Sequence, residues 1–206
     1  MNNLPVNRFR IILLCAGAAI IYGVLHDQVT ARLCLEYFTV AHPPLFPVTS
    51  PTLVALCWGT AATAGLGTVF GVLLAQLAHA GSQPPLSATR LMCPLAKLLG
   101  AMALSALAAG GGGYWLARWG VISMPAVLAA VIPPAKHDFF MAVWFAHGAS
   151  YLVGLGGAGF VLFRTWCERG RPPSFSLYPR SSWAVLRTLV LLIVTGYILW
   201  SRFGRH

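Results

Sequence analysis

The chain has almost no acidic residues. It has 206 residues, with four Asp or Glu against 14 Lys or Arg, and charged residues make up only 9%. Soluble domains carry about 25% charged residues. So few charges provide no polar shell around a single core, which excludes an ordinary soluble domain. Cysteine is scarce as well. Cys15, Cys57, Cys93 and Cys167 lie in or at the ends of apolar runs, and Cys34 alone lies in a polar stretch. No CxxC or zinc-ribbon spacing occurs, so the thiols read as small apolar side chains. HExxH and HxxxH are also absent. The net charge of +10 does not point to nucleic acid. Its basic residues sit at the ends of apolar runs and form no face.

What the chain has in abundance is apolar sequence, at 58% hydrophobic with mean hydropathy +0.74. Several runs approach or exceed the ~18 apolar residues of a membrane span. They predict an all-α membrane protein, a bundle of about five transmembrane helices in a lipid bilayer. The spans fall at about 9–28, 52–77, 92–116, 138–165 and 183–201, within one integral membrane domain covering 1–206. Arg8 and Arg10 before an apolar run also describe a signal peptide. Ala16, Ala18 and Ala19 lie inside that run rather than after it, so a retained first span is expected.

Small residues recur every four positions in three spans. The stripes are Gly59, Thr63, Gly67 and Gly71; Ala101, Ser105, Ala109 and Gly113; and Ala146, Ser150, Gly154 and Ala158. Such stripes let helices approach closely in lipid, within the chain, with a partner protein or in a homo-oligomer. Gly110 to Gly113 weaken the third span and read as tight packing, with a broken helix lining a cavity as the alternative. Residues 123–132 are too short to span and fit an interfacial helix, capped by Ser123 with Pro125 in its first turn.

One stretch is different. Tyr22 to Pro44, YGVLHDQVTARLCLEYFTVAHPP, holds His26, Asp27, Glu36 and His42, which are half of the acids and a third of the histidines. Residues 29–41 alternate partly in hydrophobicity and favour an extended segment, with a helix as the rival reading. The prolines at 43, 44, 47 and 51 then keep the chain irregular to about 50.

Lys and Arg distribution orients the bundle. Arg8, Arg10, Arg90, Lys97, Arg164, Arg169, Arg171, Arg180 and Arg187 fall on or border the N-terminal side. Only Arg32, Arg118, Lys136, Arg202 and Arg205 fall on the other. The positive-inside bias places the N-terminus in the cytoplasm. The stretch 22–44 and the segment Lys136-His137-Asp138 then share the outer face. His147 lies roughly 15 Å along its helix from His137, so the two cannot serve one metal.

Histidine with carboxylate suits zinc, iron or manganese, and it also suits proton transfer. The candidate ligands are His26, Asp27, Glu36, His42, His137, Asp138 and His147. Each has a plainer reading. His26 and Asp27 can solvate a helix end, and His42 can be a loop residue. His137 and Asp138 can cap a helix, and Glu36 can pair with Arg32 or Lys136. His147 is the hardest to dismiss, because an ionisable residue inside a span is by default a functional hypothesis. His79 and His206 draw no role.

The run YGVLHDQVTARLCLEYFTVAHPP, with PPAKHDFF and WFAHGASYLVG further on, resembles a family of small multi-spanning bacterial membrane proteins. That family carries YGxxHDQ(V/I)T…EYF…HP after its first span. The resemblance implies a bacterial inner-membrane location and carries no activity, substrate or cofactor. Three readings follow: a metal- or polar-substrate-binding site, a proton-coupled transporter, or an assembly subunit without chemistry of its own.

Overall fold

The computed structural model describes residues 4–81 and 83–169. The expected fifth span at 183–201 and the hydrophilic loop before it lie outside the described residues. The described part is mainly helical and contains no strand. Its long helices are α1 (Leu4–Leu33), α3 (Pro51–Ala78), α4 (Ala88–Arg118) and α6 (His137–Arg169). Single turns α2 (Glu36–Thr39) and α5 (Ala126–Ala129) and a 3-10 turn (Pro134–Lys136) lie in the connections. Among the described residues, four helices are long and apolar enough to cross a membrane. The chain is therefore a multi-pass membrane protein with an all-α bundle, its long helices running alternately up and down.

The local chemistry accounts for most boundaries. Pro51 opens α3 where a missing N–H costs nothing. Ser87 caps α4 by accepting from the Arg90 N–H. This starts α4 a turn before the expected 92 and leaves Pro94 inside it. The four glycines at 110–113 do not break α4, because two of them have a packing task. A Cβ at Gly110 would stand 3.2 Å from Ala142 O, and one at Gly113 would stand 3.0 Å from Met141 O. Gly120, at φ 71°, takes the left-handed turn just past the end of α4. The expected interfacial helix at 123–132 shrinks to Ala126–Ala129, and Pro125 stands at its N-cap in place of Ser123.

The extended reading of 29–41 is overturned. α1 continues to Leu33, and a turn of helix follows at Glu36–Thr39. The alternation misleads because burial follows a helical period. Asp27, Ala31, Cys34 and Phe38 are all buried, at spacings of three and four. The Thr30 hydroxyl donates to His26 O and Arg32 donates to Gln28 O, both from i to i−4. The prolines enforce irregular chain only from 40 to 50.

The helices pack as two hairpins, α1 with α3 and α4 with α6, and the hairpins touch each other far less. In the first hairpin the glycine stripe makes the contact. A Cβ on Gly59 would stand 2.6 Å from Val24 N, and one on Gly67 would stand 2.6 Å from the Ala19 Cβ. The helix backbones therefore nearly touch there. One end of the bundle gathers the starts of α1 and α4 and the ends of α3 and α6. Asn7 donates to Leu86 O at this end. The buried Arg169 guanidinium donates to the carbonyls of Ala80, Gln83 and Pro84, tying the α3–α4 turn to the end of α6. The opposite end carries α2, α5 and the last turns of α1.

Candidate functional site

His26 and Asp27 lie about two turns before the end of α1, and His147 lies three turns into α6. The up-and-down order brings both places to the same level. Asp27 and His147 are buried at 5% and 6% exposure. His147 Nε2 and Asp27 Oδ1 are 3.2 Å apart. His147 Nδ1 is 2.9 Å from Val143 O, one turn back on its own helix. A carbonyl only accepts, so Nδ1 carries the proton of that bond. Nε2 then faces the carboxylate, and a single proton, on either the ring or the acid, completes the pair. With that proton removed, Nε2 offers a lone pair beside an anionic oxygen. This tautomer, held by a backbone carbonyl, suits metal ligation.

His26 completes the group. Its ring meets His147 edge-on, with centroids 4.5 Å apart at 79°. It stacks against Tyr22 at 5.8 Å and 18°. Its Nε2 is buried and has no hydrogen-bond partner among the described residues. A buried polar nitrogen without a partner is costly and calls for an unseen ligand or a role. One ligand atom from each of His26, Asp27 and His147 can be chosen so that all three lie within 4.8 Å of one another. A tetrahedral zinc with bonds near 2.0 Å holds its ligands ~3.3 Å apart, so modest side-chain closure would suffice. Nearby, Tyr22 Oη and Ser150 Oγ share a hydrogen bond of 2.7 Å between α1 and α6.

α2 covers this group from the end of the bundle. Tyr37 stacks on the His147 ring at 4.6 Å and 29°, and Phe38 meets it edge-on at 5.6 Å. Burial raises the Tyr37 phenol pKa well above its usual value, with Tyr151 and Asp27 adding to the shift. Tyr37 therefore stays a neutral cover at physiological pH.

The other candidates lie apart. His42 is bound through Nδ1 to Tyr37 O at 2.7 Å and packs on Trp58. It holds the covering turn and does not face Asp27. Glu36 accepts from the Cys34 thiol at 3.4 Å rather than pairing with Arg32 or Lys136. His137 is bound to Ile132 O at 2.9 Å. Asp138 makes a partly exposed ion pair with Arg118 at 3.5 Å. These four serve loops and helix starts. Sequence reasoning assigned no site role to Tyr37 or Phe38, and marked Ser150 only as a small residue of its stripe. The signal available was the EYF run, whose helical spacing from Asp27 was hidden by the apparent alternation.

A cleft of about 440 Å³ runs from this polar group between the two hairpins, lined by all four long helices. Comparison of the chain with protein-family models, curated proteins and solved structures returns no match.

Proposed function

We propose that this chain is a bacterial inner-membrane protein that holds a divalent metal ion, such as zinc, iron or manganese, at His26, Asp27 and His147. The observation that carries the reading is the convergence of these three ligand atoms within 4.8 Å. The partnerless Nε2 of His26 and the Nδ1 anchor of His147 support it. Two neutral imidazoles and one carboxylate leave a divalent ion with net positive charge and an open position. The bacterial location rests on the resemblance of the 22–44 run. The orientation, with the N-terminus cytoplasmic, rests on charge. Among the described residues Arg8, Arg10, Arg90, Lys97, Arg164 and Arg169 gather at one end, against Arg32, Arg118 and Lys136 at the other. The metal group then lies in the outer half of the bilayer.

A proton-coupled carrier is the second reading, and the buried hydrogen bond between His147 and Asp27 favours it. It also needs a polar relay beyond His147. The cleft continuing toward Cys15 and Leu162 is lined there by carbon, which favours the metal reading.

The test is metal analysis of the purified protein alongside His26→Ala, Asp27→Ala and His147→Ala. About one equivalent of metal in the parent and its loss in each variant is the expected result. Equal metal in all four proteins, or none in any after growth with added zinc, iron and manganese, would refute the reading.

A further inference from the structure

The cleft between the hairpins is polar at one end only. Its polar lining groups are Tyr22, His26, Asp27, His147, Ser150 and Tyr151, all at the metal end, together with Thr63. The Thr63 hydroxyl is already committed to Gly59 O at 2.6 Å. From there to Cys15 and Leu162 the walls are Ala, Gly, Leu, Val, Phe and Met. Along α1 the distance from His26 back to Cys15 is roughly 16 Å at 1.5 Å per residue. One leaflet of a ~30 Å hydrocarbon core is about 15 Å deep. The volume of about 440 Å³ falls in the lower part of the range of small-molecule pockets, and a second chain would crowd it.

The rim is open along the spanning helices: Leu66, Tyr151 and Leu155, which line the cleft, are 54%, 48% and 73% exposed. In a bilayer, a hydrocarbon chain would reach it without crossing water. The head of such a molecule would come to rest beside His26, Asp27 and His147.

We infer that the cleft takes the alkyl chain of a single-chain amphiphile whose anionic oxygen head, of the carboxylate type, meets the His26–Asp27–His147 centre. The head assignment rests on the metal reading, since a divalent ion with one carboxylate keeps positive charge for an anion. The chain assignment rests on the cleft alone. The site is thus a lipid-binding site, with its polar group in the outer half of the bilayer and its carbon tail directed toward the midplane.

The probe is palmitate bearing a mid-chain diazirine, photolysed with the full chain in detergent at subsaturating concentration, with cross-links mapped by peptide mass spectrometry. Cross-links are expected on the peptides carrying Leu66, Met102 or Leu155. Excess palmitate should compete them away. Ala18→Phe and Ala158→Phe fill the cleft from α1 and from α6, and each should lower cross-linking about tenfold while leaving bound metal unchanged. If one of the two fails to fold, the other decides. Cross-links spread evenly over the lipid-facing helices, indifferent to competitor and to a folded filling variant, would overturn the inference. Competition by phosphatidylglycerol but not by palmitate would overturn the single-chain assignment. Localised cross-links without metal would retain the chain site and refute the metal reading. Metal without localised cross-links would do the reverse.

Discussion

His147 and Asp27 stand 3.2 Å apart although 120 residues separate them in the chain. Both are buried, and each is the other's hydrogen-bond partner. Removing one member of such a pair leaves a polar group stranded in the bundle, at a cost of about 3–5 kcal/mol. Asp27→Ala should therefore lower the thermal unfolding midpoint in detergent strongly, and His147→Ala should do likewise. The double change Asp27→Ala with His147→Ala should cost less than the two single changes together, because neither member of the pair is left without its partner. Strict additivity in that cycle would mean that the two side chains do not act as a pair.

The glycine contacts give a sharper structural test. A Cβ on Gly59 would collide with the α1 backbone at Val24, whereas one on Gly65 meets nothing within 4 Å. Gly59→Ala should destabilise the protein by about 1–3 kcal/mol. Gly65→Ala should be neutral or stabilising by up to ~1 kcal/mol, through helix propensity alone. Equal effects at both positions would contradict the close approach of α1 and α3.

Much of this was legible in the sequence, for identifiable reasons. The length of the apolar runs sets the helices, since a bilayer leaves the backbone little alternative. The four-residue stripe at Gly59, Thr63, Gly67 and Gly71 announces the α1–α3 contact, because only small side chains let backbones meet. His147 stood out because burying an ionisable group in lipid is expensive. That His147 meets the polar stretch was legible, with His26, Asp27 and Glu36 as the partners in view; the choice of Asp27 over Glu36 was not. It depends on which face of α1 turns inward, and the alternation at 29–37 pointed to the wrong period. The roles of Tyr37 and Phe38 were hidden for the same reason. His137 and Asp138 resemble site residues in composition, and only their hydrogen-bond partners show that they hold a helix start.

Cys34 reports on the cover formed by α2. It is fully buried, and burial is the main cause that pushes its thiol pKa up to about 11. A raised thiol pKa leaves the neutral form dominant below that value, so thiolate is about one part in 10⁴ at pH 7. Alkylation of Cys34, followed by peptide mass spectrometry, should be slow and should rise about tenfold per pH unit from 7 to 9. An ordinary thiol with pKa ≈ 8.5 would begin to level off within that window. Tyr37→Ala should speed the reaction at fixed pH. An unchanged rate in that variant would show that the turn does not shield the site.

Orientation is open to labelling in intact cells. Leu45 is well exposed in the segment after α2, and Gly120 is exposed in the turn after α4. Cysteines placed at 45 and 120 should react with an impermeant maleimide added outside. A cysteine at 81, in the turn joining α3 to α4, should react only after lysis. The reverse pattern would move the His26–Asp27–His147 group to the cytoplasmic half of the bilayer.

The stacked ring of Tyr37 gives the bundle two unlike doors. A polar solute arriving from water would have to displace that ring, on a turn whose Tyr37 carbonyl is bonded to His42, before it reaches the histidines. A molecule arriving sideways from lipid would meet carbon along most of the cleft. The membrane itself then acts as the sieve, admitting what dissolves in hydrocarbon and delaying what dissolves in water. Access to His147 along the cleft would then be set by how well a compound partitions into the bilayer, not by its concentration in water.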